Sequence, residues 1–338
     1  MAKLRRIQLS KSYKPIDISF LKIGDLIEFD CYVQRFKDFV IIISAGTTLS
    51  EKHLRLLSNS DRHYVKYDQH ELYKKLLPSE EQLTDKKTIS LEDLDAQGLE
   101  LYETLEEKLE VLYTSLAQMM YDYFDHNLEL NQRYMDALLQ EYVLIIKKDI
   151  LAYRTIMNTM CKKDNHAVHS VNVALLCLGL ANHLNYSISQ MKMIGKAALL
   201  HDLGKKEIDK AIFEKNTKLD AAEFEQMKTH PFLSYQIVHA MGILDRSLLD
   251  AIHHHHEYID GSGYPDGLKG QRISDFTQMI TVCDIFDGMT SYRSYRNKKS
   301  AITALKAIKT EYKERIRPKF TEGMIKLFHS VYSSELKN

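Results

Sequence analysis

The chain has no excess of charge of either sign. Lys plus Arg and Asp plus Glu number 46 each, so the formal net charge is zero. No global field therefore draws the molecule to a nucleic acid polymer or an anionic membrane. A small anionic ligand held by a local cluster is still allowed. The four cysteines, Cys31, Cys161, Cys177 and Cys283, form no CxxC pair. That excludes a disulfide scaffold and predicts buried thiols in a reducing compartment. No apolar segment follows Met1-Ala2-Lys3-Leu4-Arg5-Arg6, so no secretory signal is visible. The longest apolar runs, such as Val173 to Ala181 with Gly179 inside, fall short of the ~20 residues of a membrane span. Internal repeats, low-complexity tracts and a phosphoacceptor receiver pattern are also missing. A cytoplasmic protein without membrane insertion is expected.

At 338 residues, 44% hydrophobic and 27% charged, the chain has room for two or three ordinary globular domains. Residues 1–80 read as a small α/β domain, to which position alone assigns a regulatory role. Asp38 to Ile43 is short, apolar and β-branched, as a buried strand would be. Ala45 to Leu49 reads as a turn, and Ser50 caps a helix carrying His53, Leu54, Leu56 and Leu57. Tyr64 to Tyr67 reads as another strand. Residues 81–134 read as a polar linker, centred between Pro78 and Gly98, followed by an amphipathic helix. In that helix Leu101, Leu105, Leu109, Leu112 and Leu116 recur at helical spacing, as core or as a dimer seam. Residues 135–338 are almost entirely helical in pattern. Val168 to Leu184 is apolar on one side, and Met193 to Leu200 ends at His201-Asp202. Asp220 and Glu223 form a capping-box pattern, and Pro231 breaks or restarts the helix that follows.

The chemistry is concentrated in this last segment. His254-His255-His256-Glu257 runs into the turn Asp260-Gly261-Ser262-Gly263-Tyr264-Pro265. Further donors stand at His169, His201, Asp202, His230 and Asp284. A hydrolytic two-metal site needs imidazoles and carboxylates from several helices, with positions open to water and substrate. Adjacent His201 and Asp202 would differ by about 100° on a helix, so the carboxylate can bridge two ions while the imidazole binds one. In the turn, Gly261 and Gly263 permit positive φ and close approach to a ligand. Tyr264 is then presented toward a base or phosphate. Arg293 and Arg296 follow Asp284, and their guanidinium groups suit phosphate. A plain structural loop and a solvated charge cluster are the ordinary alternatives for these two segments.

His169-Ser170, His201-Asp202-Leu203-Gly204-Lys205, Lys228-Thr229-His230-Pro231, His255-His256-Glu257, Asp260 to Pro265 and Asp284 occur in order. Over about residues 135–338 the chain resembles the HD-GYP family, a branch of the HD phosphohydrolase superfamily. That resemblance implies a mainly α fold: an all-helical HD-type metal phosphohydrolase domain behind the α/β segment. It implies a cyclic-guanylate-specific phosphodiesterase that cleaves cyclic di-GMP to pGpG, and onward to GMP, in second-messenger signalling. By position, the metal ligands would be His169, His201, Asp202, His230, His255, His256 and Asp284. Asp202 matches the bridging carboxylate, and Lys205 the lysine near the scissile phosphate. Tyr264, Arg293 and Arg296 would contact substrate, although Ser294 stands where the family's arginine segment has proline.

Two divalent ions are expected, iron or manganese. Asn165 occupies the position of a glutamate that helps some members hold a third. His254 takes the place of His255 if the histidine run is shifted by one. His166 and His253 stand beside the motifs as ordinary polar residues. Besides the cyclic dinucleotide, a homodimer contact or a signalling protein is the expected kind of partner. The competing readings are an HD hydrolase of another nucleotide and a catalytically silent receptor.

Overall fold

The computed structural model describes residues 13–16, 21–35, 38–58, 63–66, 88–95, 98–149, 152–160, 165–213, 215, 217–291 and 299–332. The chain divides into two compact units, Met1–Asp85 and Lys86–Asn338. Cys161, Arg293, Arg296 and the polar stretch 79–87 read as a linker lie outside the described residues.

In the first unit, β1 (Tyr13–Ile16), β3 (Cys31–Arg35), β4 (Asp38–Ile43) and β6 (His63–Lys66) form one antiparallel sheet in the order β1-β6-β3-β4. A second, two-stranded sheet pairs β2 (Leu26–Ile27) with β5 (Thr47–Thr48). The turn expected at Ala45 to Leu49 is thus shorter, because Thr47 and Thr48 join a strand. α1 (Glu51–Ser58) follows Ser50. Ile27, Phe29, Cys31, Ile43, Leu49, Leu57 and Val65 bury a small core.

The second unit is helical, and its core is a single apolar cluster. It opens with the short helix α2 (Leu91–Asp95), where only polar linker was expected, and Ile89 just before it is buried. α3 (Leu105–His126) starts at Thr104, whose side chain and that of Glu107 cap each other's backbone N–H groups. Its leucines and methionines join the core, which settles the choice between core and dimer seam for Leu109, Leu112 and Leu116. α4 (Gln132–Lys148) and α5 (Ala152–Thr159) follow.

α6 (His166–His183) is the axis of the unit. Every residue from Ala167 to Ala181 is buried, so the helix is enclosed all round rather than on one side. α3, α4, α7 (Ile188–Leu200), α12 (Asp275–Thr290) and α14 (Pro318–Tyr332) surround it, which leaves it no solvent face. The shorter helices α8 (Lys210–Phe213), α9 (Ala221–Met227), α10 (His230–Ala240), α11 (Arg246–His253) and α13 (Ala301–Glu311) complete the unit. The capping box at Asp220 and Glu223 forms as predicted. Pro231 sits in the first turn of α10, where its missing N–H costs no helical bond. Among the described residues no helix is long and apolar enough to cross a membrane.

Candidate metal centre

Helix ends deliver most of the donors, and Asp284, from within α12, is the exception. α7 stops at Leu200, and His201 and Asp202 fall in the turn beyond it. The helix thus ends at the His-Asp pair as expected, and the 100° step between adjacent helical residues does not apply to the pair. A tight 3-10 turn, Leu203–Glu207, follows and packs against the start of α10. Gly204 makes that contact possible. A Cβ there would lie 2.3 Å from the His230 carbonyl oxygen and 2.4 Å from the Ser234 nitrogen. The Gly204 N–H instead donates to Ser234 Oγ at 2.8 Å, and His230 is drawn up to Asp202.

The Asp202 carboxylate is fully buried and stands between two groups of imidazoles. Its Oδ2 lies 3.5 Å from His169 Nε2 and 3.3 Å from His201 Nε2. Its Oδ1 lies 3.2 Å from His230 Nε2 and 3.7 Å from His255 Nε2. Asp284 comes from α12, with Oδ1 at 3.1 Å from His169 Nε2 and Oδ2 at 3.9 Å from His256 Nδ1. Two triads result, His169-His201-Asp202 and His230-His255-His256, each with one donor atom per residue within 4.8 Å of the others. All seven predicted donors are thus brought together. Lys205 joins them, its Nζ 2.5 Å from Asp202 Oδ2.

Four rings are held by their far nitrogens. His201 Nδ1 donates to the Ala198 carbonyl at 2.6 Å, His230 Nδ1 to Met227 at 2.6 Å and His255 Nδ1 to Ile252 at 2.7 Å. His169 Nδ1 donates to Asp287 Oδ2 at 2.8 Å. With the proton assigned to Nδ1 by these partners, the Nε2 atoms of His201, His230 and His255 turn lone pairs inward. His230 Nε2 then faces His255 Nε2 at 3.2 Å, and both face Asp202. Buried His169 Nε2, His201 Nε2 and Asp202 Oδ1 have no hydrogen-bond partner. Lone pairs converging without donors repel, and buried polar atoms left unpaired are costly. A cation between them removes both penalties, so this donor set fits divalent metal.

The protonation pattern agrees. Burial, then the charges of neighbouring imidazoles, pushes His255 well below its ordinary range, and burial with His230 nearby pushes His256 down to about 3. Burial also lowers His230. These rings are neutral, as a metal requires of its histidine ligands. Burial works against charge on Asp202 and Asp284, yet the imidazoles, and Lys205 beside Asp202, hold both well below the carboxylate range. His169 is the exception: burial opposes its charge, but the carboxylates of Asp284 and Asp287 lift it to about 9, so it is protonated without a cation and would lose that proton on binding one.

The supporting residues were not singled out from sequence. Asp287 is fully buried, bonds His169, and accepts from Asn172 Nδ2 at 3.0 Å and Ser291 Oγ at 2.9 Å. Its signal was present: it lies one helical turn after Asp284 on the same face. Glu257, also fully buried, accepts from the Asp266 N–H at 2.6 Å and the Leu268 N–H at 3.0 Å. It thereby ties the turn that carries Tyr264 to the histidine run. Gly261 has the expected positive φ of 82°, whereas Gly263 serves by closeness. A Cβ at Gly263 would sit 2.5 Å from the Glu257 Cα and the His256 oxygen. Tyr264 lies over His256, with ring centroids 4.8 Å apart. His254 points elsewhere, between Asp250 at 3.0 Å and Asp266 at 3.1 Å, so the one-residue shift of the histidine run does not occur.

An HD domain profile matches residues 146–319, half of the chain. The chain is 33% identical over 159 residues to the cyclic di-GMP phosphodiesterase PA4108 of Pseudomonas aeruginosa. The chain belongs to the HD-GYP family. The Pseudomonas match covers 47% of this HD-GYP chain and 38% of that relative. The cyclic di-GMP phosphodiesterase of Thermotoga maritima is 34% identical over 161 residues, covering 47% and 44%. The 3'3'-cGAMP-specific phosphodiesterase 3 of Vibrio cholerae is 38% identical over 135 residues, covering 40% and 29%. The chain thus spans less than half the length of each of these relatives. In fold, the HDG"Y"P protein Bd1817 of Bdellovibrio bacteriovorus aligns with a TM-score of 0.57 at 17% identity. That alignment covers 94% of this chain and 99% of the other.

Proposed function

We propose that this chain is a metal-dependent phosphodiesterase that hydrolyses cyclic di-GMP to the linear dinucleotide pGpG. The observation that carries the reading is the buried Asp202 carboxylate with an imidazole pair on each side, the lone pairs of His201, His230 and His255 turned inward. Relatives named for cyclic di-GMP and for 3'3'-cGAMP support the substrate class. His169, His201 and Asp284 would hold one ion, His230, His255 and His256 the other, with Asp202 shared. Iron or manganese suits imidazole and carboxylate donors. Two ions are favoured over three because the Asn165 side chain caps α6, accepting from the Val168 N–H at 3.2 Å. When bound, divalent cations supply Lewis acidity and lower the pKa of water.

The protein's own groups do the rest. Asp284 and His256 are the exposed edge of the centre, at 17% and 20%, so the scissile phosphate enters on their side. The Lys205 ammonium sits beside the shared carboxylate and offsets negative charge growing on the phosphate oxygens. Tyr264 offers a ring face to a nucleobase above His256. Anaerobically purified protein reconstituted with iron or manganese, given cyclic di-GMP and 3'3'-cGAMP, tests this by chromatography. Accumulation of pGpG is expected. Binding of cyclic di-GMP by the metal-loaded protein without turnover would make it a silent receptor, and faster cleavage of 3'3'-cGAMP would reassign the substrate.

A further inference from the structure

A groove of about 1360 Å³ opens beside the metal centre, within the second unit. Lys205, His230, His256 and Tyr264 line it, and so do Phe124, His166 and Phe213. The His166 and Phe213 rings stack, with centroids 4.0 Å apart and planes 23° from parallel. His166 lies on the same helix face as the metal-side His169, one turn earlier and about 4.5 Å along the axis. Phe213 is half-buried and belongs to neither apolar core, while its neighbour Ile212 is buried and anchors the four-residue helix α8. The ring is therefore not there to fill the interior. Five lysines, exposed Lys210 and Lys218 among them, outnumber the carboxylates Asp125, Glu207 and Asp220 in the described lining, which favours an anionic occupant.

We propose that Phe213, backed by His166, is the stacking platform for the nucleobase that lies away from the scissile phosphate. This rests on the reading of the chain as a cyclic-dinucleotide phosphodiesterase. A cyclic dinucleotide presents two bases on opposite sides of its ring. One base has Tyr264 beside the metal centre. The other needs a flat partner across the groove, and the Phe213–His166 pair supplies it. Stacking tolerates any base, since every base has a π face. Phe213 therefore sets the preference for a dinucleotide over a small phosphodiester, not for guanine over adenine.

The test compares two substrates on the metal-loaded full chain. Cyclic di-GMP has the remote base, and bis(p-nitrophenyl) phosphate has none. F213A and F213L should raise KM for cyclic di-GMP roughly tenfold to a hundredfold, the effect of losing one base stack. Their kcat/KM for bis(p-nitrophenyl) phosphate should move less than about twofold, and F213Y should restore the cyclic di-GMP KM. Leucine keeps the volume and removes the plane, so it separates stacking from packing. An unaltered KM for cyclic di-GMP in F213A overturns the proposal, and so does an equal loss on both substrates. Wild-type protein that neither binds nor cleaves a cyclic dinucleotide overturns the functional reading itself, and the platform with it.

Discussion

On one side of Asp202 stand His169, His201 and Asp284; on the other stand His230, His255 and His256. The first side has a second carboxylate among its donors and a third, Asp287, behind His169. The second has only imidazoles, and those of His230 and His255 are backed by the neutral carbonyls of Met227 and Ile252. A carboxylate behind a histidine raises its basicity more than a carbonyl does. Anionic oxygen favours harder cations, and neutral nitrogen favours softer ones. The two halves of the centre are therefore expected to bind their ions with unequal strength and unequal preference.

Asp202→Ala removes the group both halves share. Bound metal should fall to near zero and turnover by about a thousandfold or more, since several kcal/mol of charge stabilisation go with the cations. Far-UV circular dichroism should stay helical. Unchanged turnover in the reconstituted variant would sink the assignment of the centre. His169→Ala and His256→Ala come next, and together they test the inequality. Each should keep about one ion by elemental analysis. The ion left in H256A, on the carboxylate side, should favour manganese more than the ion left in H169A. Equal content and equal preference in both variants would erase the distinction. Asp287→Asn should weaken only the carboxylate side, by roughly tenfold to a hundredfold in affinity or activity. A metal titration showing both binding phases weakened alike would contradict that. The smallest effect belongs to Glu257→Gln, which leaves all donors in place. One of two backbone N–H groups would lose its acceptor, at about 1–3 kcal/mol locally. KM should rise a few-fold with metal content constant, and a drop in metal content would mean that Glu257 supports the ions directly.

The seven donors were legible because their residue types are unusual and occur in an ordered series. His255 and His256 announce themselves inside a run leading into a glycine-rich turn. The strand Asp38–Ile43 was legible as a β-branched apolar run, and β3 was not, because Cys31-Tyr32-Val33-Gln34-Arg35 mixes polar and apolar residues. Glu257 stands in the His255-His256-Glu257 motif, but neither it nor Asp287 received a role, because an acidic residue on a helix or in a turn is ordinarily solvated. Only burial and the partners on other elements separate them from dozens like them. The end of the helix at Leu200 was legible, but the directions of the His201 and Asp202 side chains were not, because they depend on how the turn Leu203–Glu207 packs against α10.

Gly204 carries a consequence for evolution as well as for folding. Ligand distances in a metal site must hold within about 0.2 Å. A single added methyl at this position would meet the backbone of α10 at 2.3 Å and wedge His230 away from Asp202. The gauge of the whole centre is thus set by a missing atom rather than by any donor. Drift at position 204 should disarm such a protein while every ligand survives in its sequence, leaving a relative that looks competent and is inert.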